Sequence, residues 1–413
     1  MKEAVIIDAC RTPIGRAGDR GVFRSISHAD LMIPVLQAIT KRNHLDPALI
    51  DDIVLGSVGL QGIRGILLAA GFPQSVGGVD TNRQCASSVQ AVAVAAHWIM
   101  NDDADIMIAA GMETMGRNGP VPPTAIGRRG AGQMARPRAA AQEEVQYPPD
   151  WKKAKLLPAY PPEIPRMGMG NTAEELSRRY NISREDSDAF ALTSQQKAIA
   201  AQDAGLFKDE IIPVTINYED GTSEVVSVDQ CPRRNTSLEK LAALPPAFEP
   251  NGRVTAGNSC PENDGAGAVL LMSKEMAKKM GYKPLMTFRH AVAIGVDPTV
   301  MGIGPYPATA KLLKRTGMKI QDMDLIEINE AFACQVVYSG RMLGFGPAEW
   351  AKLNVKGGAV AIGHPFGVTG TRMTAVLGHE MKRRNLRWGI DALCVGGGMG
   401  MASLFEREPY YEI

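Results

Sequence analysis

Short apolar runs alternate along this chain with stretches whose apolar positions recur at helical spacing, the pattern of α/β layering. Asp52-Ile53-Val54-Leu55 reads as a strand. From Cys85 a helix is predicted through Ile99, with Val89, Val92, Ala93 and Ala96 on its apolar side, and Ile106 to Ala110 is a strand ending at Gly111. The back half repeats the rhythm, with a strand over Asp324 to Ile328, a helix over Phe366 to Lys382 and a strand over Ile390 to Val395 that ends at Gly396. Asp52 pairs with Asp324, Cys85 with the His364 region and Gly111 with Gly396, in the same order and at similar spacing. We read an ancient internal duplication.

Between Gly116 and about Gly252 the pattern changes. Prolines cluster (Pro120, Pro122, Pro123, Pro148, Pro149, Pro158, Pro161, Pro162 and Pro165) among basic residues. A helix then follows, with Ser183 and Asp186 as a capping box, Phe190, Leu192 and Ile199 as apolar positions and Gly205 as the stop. The segment reads as an insertion covering one face of a two-lobed core, with a flexible linker as the other reading. The strand-like run Gly267 to Met272 resumes the first lobe.

Bulk properties narrow the function. The 413 residues carry a net charge of +1 and are 45% hydrophobic, ordinary for a globular protein with a large core. So even a balance argues against nucleic acid or a membrane surface as partner, since both reward a basic face. No apolar run approaches the roughly 18–20 residues of a membrane span. Neither a signal or transit peptide at Met1-Lys2-Glu3 nor a peroxisomal Ser-Lys-Leu ending is present, so a cytoplasmic location is expected. The six cysteines, at 10, 85, 231, 260, 334 and 394, lack paired short spacings, which suggests reduced thiols and neither a disulfide framework nor a zinc site.

Three cysteine- and histidine-bearing segments carry the candidate chemistry. Cys85, in Asn82-Arg83-Gln84-Cys85-Ala86-Ser87-Ser88, precedes a helix, whose unpaired N–H groups are expected to lower the thiol pKa. A buried structural cysteine is the plainer alternative. His364 lies in a glycine-rich stretch from Gly357 to Gly370, where glycines allow a ligand close to the backbone and the imidazole could take a thiol proton. Cys394 ends an apolar strand and precedes Gly396-Gly397-Gly398, whose N–H groups could form an oxyanion hole. Asn329-Glu330 closes another buried strand, where a polar pair needs partners or serves a site.

These segments, with Val254 to Asn258, Asn263 to Ala266, Met169 to Glu174 and Met301 to Pro305, resemble the thiolase family along the whole chain. The resemblance implies a duplicated α/β thiolase fold, five-layered as α-β-α-β-α, with an inserted loop domain. The implied boundaries are 1–118 and 252–274 for the N-terminal half, 119–251 for a loop domain holding coenzyme A, and 275–413 for the C-terminal half. It implies an acyltransferase that cleaves 3-ketoacyl-CoA, as in fatty acid β-oxidation, with acetyl-CoA acetyltransferase as the alternative. Cys85 would carry the acyl group, His364 activate it and Cys394 exchange a proton with the partner. Asn329, through a water, and His364 would form one oxyanion hole, and the N–H groups of Cys85 and Gly396 the other. Arg233 would lie near the nucleotide of coenzyme A, and Ser259, Met301 and Phe332 along its pantetheine channel. Coenzyme A is a substrate, no cofactor or metal is implied, and a homodimer or homotetramer is expected.

Some positions depart from the family pattern. Gly59 to Ile66 is shorter than usual, Cys260 replaces a serine that often contacts pantetheine, Gly168 stands where short-chain biosynthetic members often have histidine, and Val121 to Tyr160 is an unusually long insertion. The rival readings are a decarboxylating ketoacyl synthase, which pairs its cysteine with two histidines, and a silent scaffold, which has no use for two activated thiols.

Overall fold

The computed structural model describes residues 2–59, 62–116 and 160–408. The Val121 to Tyr160 insertion falls outside the described residues but for Tyr160, as do Leu60 and Gln61 of the shortened segment.

Twelve strands are assigned among the described residues: β1 (Ala4–Arg11), β2 (Gly15–Arg16), β3 (Asp52–Gly56), β4 (Val79–Thr81), β5 (Ile106–Thr114), β6 (Val214–Asn217), β7 (Ser223–Val226), β8 (Asn263–Ser273), β9 (Met286–Gly295), β10 (Leu325–Ile328), β11 (Trp388–Val395) and β12 (Met399–Glu406). Ten of them hydrogen-bond along the path β10-β11-β12-β9-β1-β8-β5-β3-β4, with β2 on β8. The path falls into two halves, joined where β1 meets β9 through only Val5↔Thr287 and Ile6↔Met286.

The halves share one topology. In the first, β3 runs parallel to β5, β5 antiparallel to β8, and β8 antiparallel to β1. In the second, β10 runs parallel to β11, β11 antiparallel to β12, and β12 antiparallel to β9. The duplication read from sequence is therefore present in the strand pairing, with β3 matching β10 and β5 matching β11.

Alternation along the strands sets the layers, because successive side chains leave opposite faces. On β5, Ile106, Ile108 and Ala110 pack outward with the helix His28–Arg42, while Met107 and Ala109 face inward. On β11 and β12, Ile390, Ala392, Ala402 and Leu404 pack outward beside Leu312 and Val336 of the helices Pro305–Thr316 and Ala333–Met342, while Leu393, Met401 and Phe405 face inward. The two inward faces share one core with the helices Ser87–Met100 and Thr369–Arg384. The result is five layers, helix on sheet on helix on sheet on helix. Central placement explains the composition of the inner helices. Nine of fourteen residues of Ser87–Met100 are buried and four of them are alanine, so burial extends beyond a single stripe.

The predicted elements recur with shifted ends. The second inner helix begins at Thr369, three residues after the predicted Phe366, because Val368 and Thr369 first turn back onto the Pro365 carbonyl. The Ser183–Asp186 capping box opens the helix Arg184–Asp203. That helix packs Ala191 against Val360 and Ala198 against Ile362, so residues 160–252 are not a loose linker.

The inner helices meet at a glycine. A Cβ on Gly370 would stand 2.4 Å from the Val89 backbone nitrogen and 2.7 Å from Ser88 Oγ, closer than any relaxed packing allows. Gly370→Ala should lower stability by about 1–3 kcal/mol in denaturant titrations. Gly65→Ala, at an exposed helical position with open space around it, should instead be neutral or stabilising by up to ~1 kcal/mol.

Candidate active site

The candidate groups gather where parallel strands end. β3 and β5 run into Ser57-Val58 and Glu113, and β10 and β11 run into Asn329-Glu330 and Cys394. Loops at the carboxyl ends of parallel strands are the usual place for ligands in α/β folds.

Cys85 lies in a turn made by its neighbours' side chains. Asn82 Oδ1 accepts the Gln84 N–H at 2.8 Å, and Ser87 Oγ accepts the Arg83 N–H at 3.0 Å while donating to the Gln84 carbonyl at 2.6 Å. Gln84 is held at φ +48°, a left-handed conformation that costs a non-glycine residue about 1 kcal/mol or more. The backbone N–H groups of Gly396 and of Cys85 itself point at the buried Cys85 sulfur. The expectation of a lowered thiol pKa is not met. Burial outweighs both N–H groups and pushes the thiol up to about 11, because the first helical residue is Ser87 and the sulfur sits outside the helix end.

His364 is fully enclosed, and burial followed by the Arg372 cation pushes its pKa down to about 3. The ring is therefore neutral. Thr369 Oγ1 gives its one proton to the Pro365 carbonyl at 3.1 Å and lies 2.6 Å from His364 Nδ1. That assigns the proton to Nδ1 and leaves a lone pair on Nε2. Asn329 Nδ2 lies 3.2 Å from Nε2. Asn329 Oδ1 is buried with no partner among the described residues.

Cys394 is wholly buried, and its Sγ–H donates to Gln335 Oε1 at 2.8 Å. Gln335 Nε2 donates in turn to the Asn329 carbonyl at 2.9 Å, so one amide fixes both residues. Burial, with the Cys85 and Cys260 thiols nearby, holds Cys394 well above the ordinary thiol range. This arrangement offers a thiol under two N–H groups, a neutral imidazole whose Nε2 lone pair faces the Asn329 amide, and a second protonated thiol. Such a set can pass a proton and add sulfur to a carbonyl carbon.

The binding candidates divide. Met301 and Phe332 share an apolar cluster with Cys394, and Ser259 bridges to Phe332 while its hydroxyl donates to the Thr255 carbonyl at 2.7 Å. Arg233 stands apart on an exposed turn, where Gln195 Oε1 accepts its backbone N–H at 2.7 Å.

Family models match nearly the whole chain. Residues 4–275 match the thiolase N-terminal domain and residues 282–407 the thiolase C-terminal domain. The chain belongs to the thiolase family. It is accordingly an acyltransferase of the thiolase type. Among its relatives, a 3-ketoacyl-CoA thiolase of Bacillus subtilis is 40% identical over 98% of this chain and 100% of that protein. An acetyl-CoA acetyltransferase of Allochromatium vinosum is 39% identical, covering 98% of each. The crystal structure of the Bacillus anthracis acetyl-CoA acetyltransferase superposes with a TM-score of 0.85 at 37% identity, over 98% of this chain and 99% of that one.

Sequence reasoning missed the supporting residues of this thiolase site. Gln335 carried one signal, a glutamine beside Val336 and Val337 on a buried helix. Glu113 is another. Its Oε2 accepts the N–H groups of Val58 and Gly367, each at 3.0 Å, joining the β3 loop to the loop after His364. Burial raises its carboxyl to about 8, and likewise Asp391 to about 7 and Glu327 to about 8. These groups stay protonated in the fold but ionise on unfolding, so their stabilisation is full at acid pH and is lost as pH rises through 7–8. The melting temperature should therefore fall as pH rises from about 4.5, just above the unfolded carboxyl range, to about 8, and level off beyond it. Glu113→Gln, which keeps the accepting oxygen but cannot ionise, should flatten that fall in calorimetric scans.

Proposed function

We propose that this thiolase cleaves 3-ketoacyl-CoA with coenzyme A, releasing acetyl-CoA and an acyl-CoA two carbons shorter, by a ping-pong route through acyl-Cys85. The observation that carries the reading is the pairing of two thiols of high pKa, Cys85 and Cys394, with an imidazole kept neutral and unprotonated at Nε2 beside Asn329. His364 Nε2 takes the Cys85 proton as the sulfur adds to the 3-keto carbon. The resulting oxyanion lies against donors, and the C2–C3 bond then breaks with its electron pair passing to C2. Cys394 gives its proton to that carbon, and acetyl-CoA leaves. In the second half, coenzyme A gives its thiol proton to the Cys394 thiolate and attacks the acyl-Cys85 carbonyl. Cys85 departs and recovers the proton from His364.

The high pKa of Cys394 suits this sequence. A thiol that resists ionisation is a stable proton store, and once its proton has passed to carbon the thiolate is basic enough to deprotonate coenzyme A. The Gly396 and Cys85 N–H groups serve one developing oxyanion, and His364 with an Asn329-held water serves the other. Met301, Phe332 and Ser259 flank the pantetheine arm, and Arg233, on the loop domain 119–251, meets the nucleotide.

Condensation of two acetyl-CoA molecules is the same route reversed, and the relatives include enzymes named for each direction. We favour cleavage because Gly168, the N-cap of the helix Met169–Arg179, replaces the histidine frequent in short-chain members. A homodimer or homotetramer is supported by β4 at the end of the sheet path with Val79 exposed. Among the described residues no helix is long and apolar enough to cross a membrane, and a cytoplasmic location remains part of the proposal.

Coenzyme A-dependent cleavage of 3-ketooctanoyl-CoA should outpace that of acetoacetyl-CoA, and Cys85→Ser should lower both by about a thousandfold or more. Activity on acetoacetyl-CoA alone would move the assignment to the acetyltransferase. Full activity in Cys85→Ser would remove the acyl-enzyme.

A further inference from the structure

Asn263, the first residue of β8, is wholly buried. Its amide has partners in three other segments of the chain. Oδ1 accepts the backbone N–H of His364 at 2.9 Å, and Nδ2 donates to the Gly15 carbonyl at 2.9 Å and to Cys231 Sγ at 3.1 Å. Both amide hydrogens and one oxygen lone pair are thus committed, which fixes the amide in a single orientation. The amide also lies against Gly363, where φ is +120° and a Cβ would meet Asn263 Cγ and Oδ1 at 2.5 Å. The residue before His364 has no side chain because this amide fills the space.

The Gly367 N–H on Glu113 holds the loop three residues beyond the histidine, whereas the other side-chain contacts to His364 itself reach only its ring. Thr369, which holds Nδ1, opens the helix five residues on and is itself tied to Pro365. Asn329 touches only the far edge of the ring. Asn263 instead belongs to the first half-sheet, while His364 leads into a helix that packs on both. On its other side, Cys231 lies in a clamped loop. Asp229 Oδ1 and Oδ2 take the Arg11 guanidinium at 2.7 and 2.9 Å, and Gln195 holds the Arg233 N–H.

We propose that Asn263 is a positioning residue that anchors the His364 backbone to the first half-sheet and, through Cys231, ties it to the Asp229–Arg233 loop. The proposal rests on the reading of His364 as the base and of Arg233 as a coenzyme A contact. Displacements of about 1 Å at a reacting group can cost ~100-fold in rate, so the anchor acts on turnover more than on substrate binding.

The test compares wild type, Asn263→Ala and Cys231→Ala by steady-state kinetics per active site, titrated by the acyl group retained. Histidine-15N NMR is run beside it, with His364 assigned through His364→Asn. Asn263→Ala should lower kcat by about tenfold to a hundredfold, leave KM for the ketoacyl-CoA within about twofold, and shift the His364 resonances. Cys231→Ala should shift the same resonances less and raise KM for coenzyme A. Wild-type kcat per site in Asn263→Ala, or unmoved His364 resonances, would overturn the anchor, and unmoved resonances in Cys231→Ala would overturn the tie to the loop. The NMR readout needs no turnover. An inactive wild type would therefore count against the proposed function while the resonance shift still decides the role of Asn263.

Discussion

The contact between the two inner helices, Ser87–Met100 and Thr369–Arg384, is the constraint on which the rest of this structure depends. Each helix follows the loop that carries one half of the chemistry, Cys85 on one side and His364 on the other. Their first turns pack closely because Gly370 lies on Val89 and Ser88, and the Thr371 N–H donates to Ser88 Oγ at 3.1 Å. The two half-sheets share only a two-residue ladder between β1 and β9. The shared core around these helices, not the ladder, therefore holds the halves in register. Duplication followed by burial of both helices in one layer places two loops of separate origin at a single site.

That placement also sets the electrostatics. A site between two sheets is far from water, and desolvation favours the neutral form of every titratable group in it. Cys85 and Cys394 are pushed up, His364 is pushed down, and Glu113 stays protonated to near pH 8. A thiolate–imidazolium pair, as in many cysteine enzymes, is not the resting state that such surroundings favour. Neutral groups suit a reaction in which each charge appears only when substrate supplies the matching oxyanion or carbanion, since preorganised donors then act in a medium of low dielectric.

Much of the fold was legible in the sequence, and for identifiable reasons. Strands buried on both faces read as continuous apolar runs, the helix after Cys85 read from its apolar side at Val89, Val92, Ala93 and Ala96, and the Ser183–Asp186 box placed a helix start to the residue. His364 and Cys394 stood out because a reactive side chain amid glycines needs an explanation, and Cys85 because it precedes a helix and is followed by small residues. Helix starts near the site were misplaced where the chain spends residues on turns, as at Pro365 to Thr369. The direction of the Cys85 shift was misread for a related reason. Sequence reports that a helix begins nearby, but the balance between a helix end and desolvation depends on how deeply the sulfur lies.

Asn263 was legible only as part of a matching segment and Gln335 not at all, and the reason that neither role could be read is general. Both are amides whose partners lie elsewhere in the chain. Asn263 meets His364 at a separation of 101 residues and Gln335 meets Cys394 at 59. An amide carries no pattern of its own, unlike a cysteine in a glycine run, and its worth comes from being fully bonded in a dry place. The reacting groups of this thiolase are written locally, as motifs, whereas the groups that hold them still are written only in the pairing of distant segments.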